Sequence, residues 1–130
     1  MKKLKLSDSG ARGWFIGDFD GAVHRTKDFE VNYRVHPAGS DWDLHYHTEV
    51  TEINLLISGR MTMQDKELVS GDIFIVEPWE ITNPVFIEDC AIIKHYDIFK
   101  VSILQLSKRN SLIGIGWRIG HKCIAQPLDD

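Results

Sequence analysis

The 130-residue chain contains little cysteine, little proline and no long apolar run. Its two cysteines, Cys90 and Cys123, have no Cys-x-x-Cys partner and are too few for a disulfide framework, which favours a reducing, cytoplasmic location. No stretch approaches the ~18 apolar residues that a membrane-spanning helix needs. The formal net charge of −4 gives no electrostatic reason to expect nucleic acid or an anionic membrane as a partner. The remaining composition is that of one small globular domain.

Short strand-like segments separated by turn residues extend from residue 14 to residue 106. Residues 29–36 alternate apolar and polar side chains, which is typical of a half-buried strand. Asp65-Lys66 separates two short strand-like segments as a hairpin turn would. Residues 91–93 form a further short strand in this pattern, and residues 98–106 form the last firm one. Because no helical period is sustained, the sequence predicts an all-β barrel or jelly roll of antiparallel strands.

Residues 107–130 differ from the predicted barrel of residues 1–106. Gly114, Gly116 and Gly120 are spaced through an apolar stretch, but they miss the dinucleotide-binding fingerprint. The segment is interpreted either as an extra strand lying on a partner subunit or as a loosely ordered tail. An exposed apolar strand invites aggregation unless it is covered, so we expect this segment to help form a homodimer.

The most informative feature is the sequence from His45 to Glu52. Alternate side chains of an extended strand point to the same face, so His45 and His47 would project side by side. A carboxylate from the next strand would complete a set of two histidines and one carboxylate, which suits Fe(II) and related metals. Glu52 precedes an apolar strand, where a lone carboxylate needs a partner or a cation, whereas Glu49 lies in a polar turn. We therefore favour Glu52 as the third ligand.

This motif resembles that of the cupin superfamily: His45-x-His47, four residues, Glu52, six residues, Gly59. The stretch in which Gly71-Asp72 opens an apolar strand and Pro78 closes it resembles the second motif of this superfamily. The resemblance implies a double-stranded β-helix of two antiparallel sheets. It also implies one divalent metal ion (Fe, Mn, Ni or Zn) held by His45, His47 and Glu52, with Asn83 at the position of the family's fourth ligand, a histidine.

Three functions remain open at this point. The first is a metal-binding cupin whose pocket takes a small polar or sugar-like ligand. The second is a metal-free sugar-nucleotide isomerase or epimerase with His45 or His47 as general base, because the segment from Asp8 to Gly13 also resembles that of small deoxysugar ketoisomerases. The third is a non-catalytic sensor of a small molecule, since a fold alone does not determine a function.

A few further side chains are candidates for the barrel mouth. Trp42, Trp79, Tyr33 and Tyr46 would provide flat apolar walls if they lined it. An inward-facing arginine would anchor a carboxylate or phosphate, although we expect Arg34 and Arg60 to point outward into solvent. His36 precedes a proline and is expected at the surface.

Overall fold

The computed structural model describes residues 1–98 and, beyond them, only the backbone of two short strands. Two 3₁₀ turns, Leu6–Asp8 and Ala11–Gly13, come first. Among the described residues, ten strands follow: β1 Trp14–Ile16, β2 Phe29–His36, β3 Val50–Ser58, β4 Arg60–Met63, β5 Lys66–Val69, β6 Ile73–Val76, β7 Val85–Phe86, β8 Cys90–Ile98, β9 Trp117–Ile119 and β10 Lys122–Ile124. No helix in this part of the chain is long and apolar enough to cross a membrane.

Two antiparallel sheets pack against each other. The larger has the strand order β1-β2-β8-β3-β6, and the smaller has the order β5-β4-β7. Leu56 and Ile92 of the larger sheet meet Met61, Met63 and Phe86 of the smaller one in a buried core. Strands β9 and β10 form a separate antiparallel pair. The predicted all-β architecture of two antiparallel sheets is confirmed.

Individual strands agree with the sequence pattern to different degrees. Strand β2 has the predicted bounds. The hairpin turn lies one residue earlier than predicted, at Gln64-Asp65, where both residues have positive φ angles of 49° and 61°. Strand β8 is one continuous strand to Ile98, where the sequence suggested a break after residue 93. The rest of the predicted strand 98–106 and most of segment 107–130 lie outside the described residues, so the homodimer role of that segment stays a prediction.

The inner face of the larger sheet carries two rows of polar side chains, which we call the polar rows. Strand register places one member of each row on β2, one on β8 and one on β3. The rows are Asn32, Lys94, Asn54 and Glu30, Tyr96, Glu52. All of them except Lys94 are buried. Buried polar groups cost stability unless they are paired, so the rows mark this face as a candidate site.

The opposite face of the same sheet is aliphatic. Ile53, Leu55 and Ile57 on β3 alternate with the inward side chains and are 36–41% exposed. Ile73 and Ile75 on the edge strand β6 are 66% and 54% exposed. We call these five residues the outer apolar face. The sheet is thus polar where it faces the barrel interior and apolar where it faces outward.

His36, expected at the surface, is instead buried at the end of β2. Its ring stacks on Phe86 with centroids 4.6 Å apart and meets the edge of Trp42 at 5.1 Å. Burial, reinforced by the positive charges of Lys94 and Arg34, lowers the pKa of His36 to about 4, although the charge of Glu52 opposes this shift. His36 is therefore neutral in the folded protein at neutral pH.

The pKa of His36 makes stability depend on pH. Its folded-state pKa of about 4 lies below the ordinary value of 6.5, so the unfolded chain binds more protons between these two values. This contribution to the free energy of unfolding is complete above pH 6.5 and is lost as pH falls towards 4, by about 3 kcal/mol. Urea unfolding followed by circular dichroism at several pH values measures it.

His36→Phe keeps a ring of similar shape against Phe86 and cannot take up a proton. We expect this variant to lose less stability than the parent over that pH range. The control His24→Gln, at an exposed loop position, should behave as the parent does. Equal pH dependence in the parent and in His36→Phe would contradict the assignment.

Candidate functional site

A cavity of about 620 Å³ opens over the polar rows. Its lining combines cationic, aromatic and imidazole side chains: Arg12, Arg34, Lys94, Trp14, Trp42, Tyr96, His36, His45 and His47. Acidic groups also reach it, namely Asp18, Asp20 and Glu30. Of the four aromatic candidates for the mouth, Trp42 lines the cavity. Tyr46 and Trp79 stack on each other 5.7 Å apart and are not among its lining residues, and neither is Tyr33.

His45 and His47 lie side by side on the segment that precedes β3. His45 forms an antiparallel bridge with Thr82, and the backbone carbonyl of His47 accepts a hydrogen bond from the N–H of Trp79. The segment is thus fixed along its length by the chain that follows β6. The two imidazole rings have centroids 5.2 Å apart and are nearly perpendicular. Because one residue separates them, both rings point to the cavity side.

The tautomer of His45 follows from its surroundings. Nδ1 lies 2.8 Å from the carbonyl oxygen of Asp43, which only accepts, so Nδ1 carries the proton and Nε2 keeps its lone pair. The hydroxyl of Thr82 lies 3.0 Å from both ring nitrogens and donates a hydrogen bond of 3.2 Å to the backbone carbonyl of His45. Burial lowers the pKa of His45, although the hydrogen bond to Asp43 opposes this shift. His45 is therefore a neutral imidazole with a basic nitrogen.

Glu52 is the centre of a buried network. Lys94 Nζ lies 3.1 Å from its Oε1, which also accepts a hydrogen bond of 3.0 Å from Asn54 Nδ2. His47 Nε2 lies 3.3 Å from Oε2. Burial alone would raise the pKa of Glu52, but the ammonium of Lys94 and the contacts with His47 and Asn54 hold it below its usual range. Glu52 is therefore an ionised carboxylate paired with a lysine.

Tyr96 completes the floor of the cavity beside this network. Its hydroxyl lies 3.4 Å from His47 Nε2, and Lys94 Nζ lies 5.7 Å from its ring centroid. Burial, together with the negative charges of Glu52 and Glu30, raises the pKa of Tyr96 well above 10. The hydroxyl therefore stays protonated and can donate a hydrogen bond.

Asn83, predicted to face the histidines, has its side chain elsewhere. Its Oδ1 accepts a hydrogen bond of 2.7 Å from the backbone N–H of Gln64, in the β4–β5 turn. Thr82, one residue earlier, is buried and meets His45 instead. The turn after Pro78 contains Trp79 with a φ of 75°, so the chain does not continue as a regular strand to the position of the family's fourth ligand.

The residues present do not fit a divalent cation in this arrangement. Among residues 1–98, no three His, Cys, Asp or Glu side chains are placed so that they could hold a metal ion together. The ammonium of Lys94 already neutralises Glu52 from 3.1 Å, and a divalent ion beside it would meet a like charge. Asn83 is turned away, and Thr82, which takes its place, offers only a neutral hydroxyl. His45, His47 and Glu52 lie close together, but Lys94 supplies the positive charge.

Arg34 is exposed to solvent, as expected, but it does not point outward. It lies on the inner face of β2 beside the cavity, with its guanidinium carbon 5.5 Å from the ring centroid of Trp42. Arg60 does point outward and lies 3.6 Å from Glu67 and 4.0 Å from Glu88.

Lys94, Tyr96 and Thr82 were missed by the sequence analysis. A lysine or tyrosine near the end of an apolar segment is ordinarily a surface residue, and strand β8 was not expected to continue past residue 93. The signal that would have found them is period-two alternation: Ile92, Lys94 and Tyr96 occupy one face of a single strand.

A comparison with protein-family models finds no match, and neither does a comparison with curated proteins. Solved structures with the same architecture do match. The KdgF protein from Halomonas sp. has a TM-score of 0.53 at 19% identity, covering 58% of this chain and 73% of that one. An uncharacterized protein with a double-stranded β-helix domain from Klebsiella pneumoniae has a TM-score of 0.53 at 19% identity, covering 59% and 69%.

A cupin protein from Bacteroides fragilis has a TM-score of 0.56 at 18% identity, and the alignment covers 80% of this chain and 92% of that one. At such low identities the likeness establishes the fold and carries no activity with it. The motif His45-x-His47…Glu52 and the two packed antiparallel sheets point to the same architecture. The chain has the double-stranded β-helix fold of the cupins.

Proposed function

We propose that this cupin binds a small, sugar-like carbonyl compound in its cavity and moves a proton on it without a metal ion. The observation that carries the proposal is the ion pair between Lys94 and Glu52, 3.1 Å apart beneath the two histidines. It provides a fixed positive charge where a metal-dependent cupin would need a cation. The proposal is the isomerase or epimerase alternative of the sequence analysis, with Lys94 and Tyr96 added to its machinery.

His45 is the general base of this proposal. Its Nδ1–H is anchored on the carbonyl of Asp43 at 2.8 Å, so Nε2 presents a lone pair and the ring orientation is fixed. In the first step, Nε2 takes a proton from the carbon next to the carbonyl group, and the electron pair of that C–H bond moves onto the carbonyl oxygen as an enolate forms.

Lys94 and Tyr96 stabilise that enolate. Both side chains line the cavity and both donate hydrogen bonds, one as an ammonium and one as a hydroxyl that stays protonated. Donors held in place before the reaction stabilise developing negative charge better than water does. Transfer of the proton from His45 to the former carbonyl carbon, with the proton of the neighbouring hydroxyl moving to the enolate oxygen, gives an isomer. Delivery of a proton from water to the opposite face of the original carbon, with His45 releasing its proton to water, gives an epimer.

The segment at the cavity rim supports the same proposal. Residues Gly10, Ala11 and Arg12 line the cavity. They belong to the stretch from Asp8 to Gly13 that resembles small ketoisomerases in sequence. The metal-binding alternative rests on the closeness of His45, His47 and Glu52, and the first experiment below distinguishes the two.

Replacing Lys94 by alanine should create metal affinity. The variant removes the ammonium that neutralises Glu52 and so frees this carboxylate to turn towards a metal ion, with His47 3.3 Å away and His45 beside His47. We expect Lys94→Ala to bind Ni²⁺ or Zn²⁺ roughly tenfold more tightly than the parent, or better, since removing a like charge is worth at least ~1.4 kcal/mol. Calorimetric titration of chelator-treated protein measures this difference.

Two further variants serve as controls. Lys94→Arg keeps the cation and should bind metal no better than the parent. In the Lys94→Ala background, Thr82→His should tighten binding further and Asn83→His should not, because Thr82 faces His45 and Asn83 contacts Gln64. A parent protein that takes up one equivalent of metal as tightly as Lys94→Ala would favour the metal-binding function instead.

Proton transfer can be measured directly. In D₂O, the parent should introduce deuterium next to the carbonyl of a keto sugar, which NMR detects. His45→Gln should slow this exchange by roughly 10²–10⁴-fold, the usual contribution of a general base. The control His24→Gln, in an exposed loop, should exchange at the parent's rate. A parent that binds keto sugars without any exchange would be a sensor rather than an isomerase.

A further inference from the structure

We propose that the ligand of this cavity carries an anionic group, a carboxylate or a phosphate, and that Arg12 and Arg34 bind it. The inference rests on the proposed function, because it specifies the substrate class of the same cavity. It is argued from two arginines that have no acidic partner in the described structure, whereas most of the nearby acids have a basic one.

Arg34 is held ready for a ligand. It follows Asn32 on the inner face of β2, and its guanidinium lies over the ring of Trp42 at 5.5 Å. Stacking on an aromatic face fixes the plane of a guanidinium and leaves its N–H edges free. Within residues 1–98, no carboxylate oxygen lies within 4 Å of its nitrogens. Its donors are therefore available to a planar acceptor.

Arg12 is held in an unfavourable backbone conformation. Its φ of 57° and ψ of 31° lie in the left-handed region, which residues with a Cβ atom rarely adopt. Asn32 Nδ2 donates a hydrogen bond of 2.7 Å to its carbonyl, and a Cβ atom on Gly13 would collide with the carbonyl of Tyr33. The turn thus packs closely against β2, and glycine would adopt the backbone conformation of residue 12 with less strain than arginine does. Strain of this kind persists where the side chain has a function.

The same residue, Asn32, connects the two arginines. It holds the turn of Arg12 and is separated from Arg34 by one residue on the same strand face. Both arginines line the one cavity. Residues 1–98 contain no carboxylate within 4 Å of Arg12 either.

Most of the acidic groups nearby are already compensated. Asp18 and Asp20 at the rim lie 2.9 Å and 3.2 Å from nitrogens of Arg25. Glu52 on the floor is paired with Lys94. Glu30 also lines the cavity, as a buried member of the polar rows next to Tyr96, and lies more than 4 Å from the nitrogens of both arginines. The wall near Arg12 and Arg34 is therefore left with positive charge.

This arrangement determines the chemistry of the ligand. Guanidinium groups bind carboxylates and phosphates through paired, charge-assisted hydrogen bonds. Trp14 and Trp42 provide apolar walls for the body of a sugar-like molecule. A keto sugar with a carboxylate or a phosphate ester would place its charged end on the arginines and its carbonyl near Lys94 and Tyr96.

The experiment follows the side-chain Nε–H signals of arginine by NMR while the parent is titrated with inorganic phosphate, acetate or glucose. Phosphate or acetate should shift signals saturably, and glucose should not shift them. Arg34→Gln should weaken anion binding roughly 10- to 100-fold, the loss expected for hydrogen bonds to a charged group. Arg12→Gly should weaken it similarly while the Tm stays equal or rises. Arg60→Gln, on the outer surface, is the matched control and should bind as the parent does.

Comparison of the dissociation constants for phosphate and acetate identifies which anion the site prefers. Absence of saturable binding of either anion to the parent would overturn the inference, as would an equal loss of affinity in Arg60→Gln. A lower Tm together with unchanged anion binding in Arg12→Gly would overturn the role of Arg12. His45→Gln should still bind phosphate, so an anion-binding parent that exchanges no proton would disprove the proposed function and leave this inference standing.

Discussion

The ion pair between Lys94 and Glu52 is the contact on which the interior of this barrel depends. Two ionised groups are expensive to remove from water, and their mutual attraction offsets that cost only when each also has hydrogen-bonding partners. Here Asn54 donates a hydrogen bond to one carboxylate oxygen of Glu52, and His47 Nε2 lies 3.3 Å from the other. Removing one member would leave a buried charge without its partner, which typically costs about 3–5 kcal/mol. The network therefore stabilises the pairing of β3 with β8 and also positions the side chains of the candidate site.

The same ion pair argues against a metal site, which is the simplest interpretation of the histidine and glutamate motif. Two histidines and a glutamate at cupin spacing indicate a metal site, and His47 does lie beside both His45 and Glu52, but the three side chains are not placed to hold one ion. A lysine on the neighbouring strand nevertheless supplies the positive charge at Glu52. A lysine ammonium is a single charge with three donors, so it orients and stabilises an oxygen atom but cannot share electron pairs as a metal can.

The sequence predicted the strands whose pattern is local and missed the residues whose position depends on distant geometry. Strand β2 alternates cleanly and was found with its bounds. The face of Asn83 depended on Trp79, whose positive φ is not visible in a sequence that lacks glycine there. Lys94 was missed because its burial is stabilised by Glu52, which lies 42 residues earlier in the chain. Their strands, β3 and β8, are neighbours only through long-range pairing in the sheet. Arg34 is exposed to solvent, as arginine usually is, but the sequence analysis placed it on the wrong face of β2.

The outer apolar face has a consequence for folding. On β3 the aliphatic residues Ile53, Leu55 and Ile57 point outward while Glu52 and Asn54 point inward. A shift of the strand by one residue would exchange the two faces. Burial of the three aliphatic side chains would thus favour the shifted register over the native one, which is a case of local frustration. The polar contacts of Glu52 and Asn54 must therefore select the native register. Strand β6 leaves Ile73 and Ile75 exposed at the sheet edge, where a second unfolded chain would find a strand to pair with.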